Sequence, residues 1–430
     1  MCINQPLPQY KLLYLRPRHG FRHNFLCTPF SLYTMSTRRP ILISGAGLAS
    51  LLLAQSLRRS AIPFRVYERD ASLAFRGQGY RLRLSNEGLD AIESVLGPED
   101  FARFYDKCGK TGGAGFAGLD AITGEQTEGV VGGPREGLVS RGGKTVGIAR
   151  GEMRQLFFEG VEDHVEFQRH VTGYELVDGG VRAVFADGTK SVVGEMLVGG
   201  EGIKSRVARQ VSGGRLVVYD TGARGIHGQA PISAFRVLGE GVFRIGDQSK
   251  EKGSRVSIIT NVRPYDENNP ETEYGWTMAG PPGVIRAPND DYSIVGSTAA
   301  DLAKELTADW HEKFRPLFEQ MNTKEAAFWK ITCSTPSGVP EWPNEPRVTV
   351  IGDAAHSMTP AGGIGANTAV QDSALLGRLL KEANGWKGDI TAEYEKRMRV
   401  YGSEAVAKSY GLATDGFQIK IVPGETPTVT

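Results

Sequence analysis

Two glycine-rich runs, one near each end of the chain, hold the residue types and spacings best suited to binding a phosphorylated ligand. The first is Gly45-Ala46-Gly47-Leu48-Ala49-Ser50, with Glu68 twenty-one residues after Gly47 and Arg69 beside it. Gly45 permits a tight turn. Gly47 lets backbone approach a pyrophosphate at a helix start, where Leu48 and Ala49 follow and unpaired N–H groups and the helix dipole favour an anion. A carboxylate ending the next strand can accept from ribose hydroxyls, the role open to Glu68. Ser50 stands where the usual pattern has a third glycine, whose task is close helix–strand packing; a small serine nearly meets it. Glycine spacing alone is weak, since any glycine turn before a helix imitates it. The strand before, the helix after and the acid at the right distance make it specific.

The second run is Gly352-Asp353-Ala354-Ala355-His356-Ser357-Met358-Thr359-Pro360, followed by Gly362-Gly363-Ile364-Gly365-Ala366-Asn367. An acid at a strand end, then small residues, a proline and a glycine-rich helix start suit a flat ring system and its linker laid on backbone. Asp353 can accept from hydroxyls, Gly363 and Gly365 remove side chains, and the helix start supplies positive potential. An ordinary turn needs neither the acid nor so many small residues together. His356 has the chemistry of an acid or base.

The elements around these runs follow from apolar patterning. Pro40-Ile41-Leu42-Ile43 reads as a buried parallel strand, with a helix over about Leu48 to Arg59 and a strand over Phe64 to Tyr67. A helix is expected from Ser85 to Leu96 and another over Gly151 to Gly160. Between them, residues 109–144 are glycine-rich without periodicity and read as loops with short ribbons. Gly180 to Phe185 and Glu195 to Val198 read as strands, with a turn at Ala186 to Thr189 suited to a hairpin or its extension. From Val211 to Pro346 short apolar runs alternate with Pro, Gly and Asn turns, which predicts a mostly antiparallel sheet interrupted by a helix near Thr307 to Phe318. Parallel character returns at Arg347 to Ile351, then long helices over Gly365 to Ala383 and Thr391 to Tyr410.

From about Arg39 to Tyr410 the chain resembles the single-component aromatic-ring hydroxylases, the p-hydroxybenzoate hydroxylase-like FAD monooxygenases, and most of all their fungal secondary-metabolism members. The resemblance implies an α/β fold: a Rossmann-like FAD domain, an inserted mostly antiparallel β substrate domain and C-terminal helices. It implies a discontinuous FAD domain at 39–108, 145–210 and 345–385, a loop insertion at 109–144, a β-rich substrate domain at 211–344, and a C-terminal helix and tail at 386–430. Gly45, Gly47, Leu48, Ala49, Glu68 and Arg69 would then hold the ADP half of noncovalent FAD. Gly352, Asp353 and Pro360 would meet the ribityl chain and pyrophosphate, and Gly363, Gly365, Ala366 and Asn367 the flavin edge. Arg76 and Gly79, in Arg76-Gly77-Gln78-Gly79, and Arg150 match flavin-contacting positions. A third fingerprint, Leu197 to Arg206, carries Glu201 where the family has aspartate, and Ile364 stands where many members have glutamine. His356 is structural in the family. The implied reaction uses NADPH or NADH as a transient reductant and O2. Through a flavin C4a-hydroperoxide it hydroxylates or epoxidises an aromatic or polyene small molecule. Glu201 and Ile364 leave open an FAD oxidase or dehydrogenase, and a non-redox cyclase that uses flavin as scaffold.

Composition narrows the partners. A formal net charge of +1 favours neither nucleic acid nor an anionic membrane. No apolar run approaches the ~18 to 20 residues of a membrane span. The four cysteines, Cys2, Cys27, Cys108 and Cys333, have no metal or redox spacing and read as reduced thiols of a cytoplasmic protein, monomer or homodimer. Residues 1–38 carry Lys11, Arg16, Arg18, Arg22 and Arg38 and no acid. Such a stretch resembles a transit peptide, or else a disordered extension ahead of Met35 that the fold does not need.

Overall fold

The computed structural model describes residues 38–73, 81–112, 116–127, 139–263 and 273–429. The expectations for residues 1–34, Arg76 and Gly79 lie outside them. In chain order the elements begin β1 (Ile41–Ser44), α1 (Leu48–Arg59), β2 (Phe64–Tyr67), β3 (Arg81–Leu84), α2 (Asn86–Lys107), β4 (Gly109–Thr111), β5 (Phe116–Asp120), β6 (Thr145–Ala149) and α3 (Arg150–Phe158). Next come β7 (Val165–Glu166), β8 (Val171–Val177), β9 (Gly180–Phe185), β10 (Met196–Gly199), α4 (Arg206–Val211), β11 (Val218–Pro231), β12 (Gly241–Gly246), β13 (Ser257–Val262) and β14 (Glu273–Gly280). The chain continues through α5 (Ser297–Leu306), α6 (Pro316–Glu319), β15 (Ala327–Ser334), β16 (Val348–Val350), α7 (Asp353–His356), α8 (Gly365–Glu382) and α9 (Ile390–Gly416).

The architecture is mixed α/β around two main sheets. A five-stranded parallel sheet has the order β16-β10-β1-β2-β7. Its central strands are continuous apolar runs, and all four residues of β1 and of β10 are buried, as parallel strands covered on both faces require. Helix α1 buries Leu51, Leu52, Leu53 and Leu57 and ends on Arg58 and Arg59, whose charges suit a helix C-terminus. A six-stranded sheet, order β15-β11-β14-β13-β12-β5, is antiparallel except that β5 runs parallel to β12. It has its own apolar cluster, centred on Trp276, Met278, Phe235 and Phe314. A small antiparallel sheet, β3-β6-β4, completes the frame beside α2 and α3.

Three local expectations are corrected. Glu195 to Val198 makes no hairpin with β9. Instead β9 pairs with β8, while β10, buried throughout, joins β1 and β16 in parallel. The expected helix at Thr307 to Phe318 is broken: α5 stops at Leu306, a 3-10 turn covers Glu312–Phe314, and the single turn of α6 starts with Pro316 at its first position. Helix α2 runs past Leu96 to Lys107, with a kink where Gly97 (φ 74°) precedes Pro98. Within 109–144, where loops and short ribbons are expected, β5 is a short strand that extends the six-stranded sheet.

Candidate functional site

In the parallel sheet, β2 and β7 lie on one side of β1, and β10 and β16 on the other. Strand order therefore reverses beside β1, and ligands of such sheets bind in the crevice outside the carboxyl ends at that point. The strand ends there carry Gly45 to Gly47 after β1, Glu68 after β2, Gly200 and Glu201 after β10, and Gly352 and Asp353 after β16. Four segments far apart in sequence thus meet at one edge.

Close backbone approach explains the glycines. Gly45 has φ 86°, and a Cβ there would lie 2.7 Å from the Gly200 carbonyl oxygen. A Cβ on Gly200 would lie 2.2 Å from Ser50 Oγ, so Gly200 gives the space that lets serine occupy the third position of the first run. Gly352, at φ 61°, sits between two helix starts: a Cβ there would be 3.4 Å from Ala49 Cβ and 3.6 Å from Ala369 Cβ. Neither α1 nor α8 has a side-chain cap or an acid in its first turn, which leaves their N-terminal N–H groups to a ligand. Leu48 and Ala49 are buried in the first turn of α1, Gly363, Gly365 and Ala366 are half-buried at the start of α8, and Pro360 is exposed.

The charged residues divide into two groups. Asp353 is exposed and receives no hydrogen bond from the described residues, although it lies in a crevice ringed by protein. That crowding pushes its carboxyl above the ordinary range, against the opposing charges of His356 and Arg150. Arg150 opens α3 at the crevice, close enough for its charge to act on Asp353. The other carboxylates are engaged. Glu68 is buried: its Oε2 accepts from Ala46 N at 2.7 Å and Arg154 Nη2 at 3.3 Å, and its Oε1 from Asp70 N at 2.9 Å. Glu201 turns inward to accept from Val207 N at 3.1 Å at the start of α4, and burial pushes its carboxyl up. Arg69 is exposed near Asp70, at 3.8 Å.

Asn367 is buried and positions the loop rather than facing it. Its Oδ1 accepts from Ser85 N at 2.8 Å, while its Nδ2 donates to Arg83 O at 2.9 Å and Gly363 O at 3.0 Å. Arg83 returns the tie by donating from Nη2 to Gly362 O at 2.9 Å.

Sequence reasoning missed two residues that shape the crevice. Arg154 is buried on the same helical face as Arg150 and donates to Ala46 O and Leu73 O, both at 2.8 Å, fixing the first glycine turn. The signal was the four-residue spacing from Arg150. Asp372, fully buried in α8, holds the second turn: Oδ2 accepts from Gly352 N at 2.6 Å and His356 Nε2 at 2.7 Å, and Oδ1 from Tyr401 Oη at 2.6 Å. Burial opposes the charged imidazole of His356, but the charge and hydrogen bond of Asp372 prevail and raise it. An acid among Thr368, Ala369 and Leu376 on one helix face should have announced a partner.

Open donors at two helix starts, an acceptor without a protein donor and Arg150 together fit the pyrophosphate and ribityl hydroxyls of FAD. Among the described residues no group of His, Cys, Asp and Glu could hold a metal ion, and no helix is long and apolar enough to cross a membrane.

Known proteins share this arrangement. The chain is 30% identical over 413 residues to the dual O-methyltransferase/FAD-dependent monooxygenase CTB3 of Cercospora beticola, covering 86% of this chain and 45% of that one. The chain thus spans about half the length of that relative. With the FAD-dependent monooxygenase tazP of Aspergillus terreus it shares 26% identity over 378 residues, 81% of this chain and 91% of that one. Klebsiella pneumoniae HpxO, solved with FAD and uric acid, has the same fold at TM-score 0.69 and 20% identity, over 88% of this chain and 89% of that one. So does 2,6-dihydroxypyridine-3-hydroxylase of Arthrobacter nicotinovorans, at TM-score 0.67 and 17% identity over 92% and 98%. With residues 159–409 matching the model of the FAD binding domain, this chain belongs to that family, in which FAD-dependent monooxygenases are its relatives.

Proposed function

We propose that the chain is an NADPH- or NADH-dependent monooxygenase that inserts one atom of O2 into an aromatic or electron-rich small molecule, by hydroxylation or epoxidation. The observation that carries this reading is Asp353: an exposed acid without a protein donor, set among uncapped helix starts and Arg150 at the switch point of the sheet. The names of the relatives support oxygen insertion, and their fungal sources support a secondary-metabolite substrate. Bound FAD would supply hydride acceptance from the reductant and activation of O2.

The chain's own residues do the rest. The N–H groups of α1 would bind the pyrophosphate, with the turn fixed by Arg154 and Glu68. Asp353 would accept from the ribityl hydroxyls, and Arg150 would add positive charge beside them. The uncapped start of α8 would supply positive potential to the flavin edge of a bound FAD. Ala361, in the turn before α8, packs with Ala279, Ile331 and Trp329 of the six-stranded sheet. This apolar wall excludes water where substrate must lie close to the ring.

The test is FAD-loaded protein with candidate aromatics, following NAD(P)H oxidation and incorporation of labelled O2. Substrate-dependent reductant use with one labelled oxygen in the product supports the reading. Oxidation without label assigns an oxidase or dehydrogenase, and a rearranged product without reductant assigns a cyclase.

A further inference from the structure

Arg83, the third residue of β3, lies along the turn that leads into α8. A Cβ on Gly363 would be 3.5 Å from Arg83 Nε and 3.6 Å from Arg83 Cβ, so the stem follows the turn at van der Waals distance. The residue is fixed at both ends. Its backbone pairs with Gly147 of β6 and accepts from Asn367 Nδ2 at 2.9 Å, while its Nη2 donates to Gly362 O at 2.9 Å. Asn367 also donates to Gly363 O at 3.0 Å, so one side chain ties Arg83 and the turn together. A cation held this way needs no rearrangement to act on what lies at the turn.

Most of the guanidinium is unpaired. Nε and Nη1 are buried and have no hydrogen-bond partner among the described residues. Arginine offers five N–H donors and keeps its proton inside a protein, so a full charge with one acceptor is withdrawn from water here. Burial pushes the group below its ordinary range, against the opposing charge of Glu87. Glu87 compensates only in part. It is exposed in the first turn of α2, where water screens it, and it forms no ion pair with Arg83. Its carboxyl is held low first by the Ser85 hydroxyl and then by backbone, with Arg83 a lesser cause.

We propose that Arg83 tunes the cofactor: its guanidinium stabilises the negative charge that a flavin gains on reduction at the edge beside the Gly362 to Gly365 turn, and so makes bound FAD easier to reduce. Two electrons and one proton leave the flavin ring with one negative charge, and a fixed cation nearby, poorly screened by water, favours that form over the neutral oxidised one. This charge arises on β3, so a substitution at Arg83 removes it without touching the start of α8. The location of the flavin edge rests on the proposed cofactor site; the charge and its placement do not.

The test is the two-electron midpoint potential of the FAD-loaded full chain, measured without oxygen against a reference dye, in the parent, Arg83→Gln and Arg83→Lys. Arg83→Gln removes the charge while retaining an N–H donor. It should prefer reduced over oxidised FAD about tenfold less than the parent, a fall of about 30 mV. Arg83→Lys keeps the charge and should hold most of the parent's potential. A merely structural role would weaken both redox states of FAD alike and leave the potential unmoved. If Arg83→Gln does not fold, judged by circular dichroism, Arg83→Met carries the same comparison with the apolar stem kept. An unchanged potential in a folded, yellow Arg83→Gln, or an equal fall in Arg83→Lys, overturns the proposal. Because the potential is read without O2 or substrate, the expected shift in a chain that inserts no oxygen upholds the role of Arg83 and sinks the oxygenase reading alone. No shift in a chain that does insert oxygen sinks the role of Arg83 alone. A chain that takes up no FAD overturns both.

Discussion

Replacing Asp353 with alanine, beside a control at Asp187, separates a ligand-facing acid from a turn acid. Asp187 closes the turn after β9, where its Oδ1 accepts from Thr189 N at 2.9 Å and Thr189 Oγ1 at 2.6 Å. Asp353 accepts from no described residue, so its acceptor capacity is available to hydroxyls of a ligand. Hydrogen bonds to a charged acceptor are worth about 1.5 to 3 kcal/mol. At about 1.4 kcal/mol per decade, Asp353→Ala should weaken FAD binding roughly ten- to a hundredfold. Fluorescence titration of apoprotein with FAD measures this, and Asp187→Ala should match the parent. Stability should move the other way. A carboxyl whose folded pKa is raised binds protons more tightly folded than unfolded, so stability falls as pH rises from the ordinary value toward the raised one. The raised carboxyl therefore works against the apo fold above its ordinary range, and at neutral pH Asp353→Asn should melt no lower than the parent. Equal FAD affinity in Asp353→Ala and Asp187→Ala would refute the assignment.

Four further outcomes can be checked. Ser50 is fully buried with no partner for its hydroxyl among the described residues, so Ser50→Ala should gain about 1 kcal/mol in denaturant unfolding. Asp372→Asn breaks a buried charged network and should cost about 3 to 5 kcal/mol, seen as a clear drop in melting temperature. Because His356 is raised in the folded state, its pairing stabilises fully below about pH 6.5 and is lost as pH rises through the raised value; His356→Asn should flatten that alkaline decline. Arg154→Ala releases the Gly45 turn and Glu68 together, so FAD affinity and apo stability should both fall, unlike the opposed effects at Asp353.

What the sequence made legible is what depends on local rules. Strand β1, the turn at Gly45, helix α1 and the acid at Glu68 form one contiguous unit whose periods and glycines can be read in order, and the same holds for β16 through α8. Their meeting at one sheet edge was legible only through resemblance, since nothing in Ile41 to Ser44 names Met196 to Gly199 as a partner. The hairpin misreading at β9 and β10 has that cause: a four-residue apolar run pairs with whichever strand buries it, and here distant β1 and β16 do so. The orientation of Glu68, Glu201 and Asn367 was also beyond spacing. Each sits where the pattern placed it, yet each side chain bonds to protein, because a nearby N–H or carbonyl lay within reach.

The second glycine run shows how one loop can hold two acids with different work. Asp372 and Asp353 both act near Gly352, one accepting from its N–H and the other following it in sequence. Asp372 is wholly buried, and three donors from Gly352, His356 and Tyr401 surround its two oxygens. Such a network fixes the backbone, since any shift of Gly352 would leave a buried charge short of donors. Asp353 is then held by backbone alone, with its carboxyl projecting into the crevice. A ligand-binding acid needs that division: if protein donors satisfied it, hydroxyls would have to compete with them for its lone pairs. The raised carboxyl of Asp353 is the energetic cost of leaving it open, and the rigid anchor at Asp372 is what lets the fold bear it.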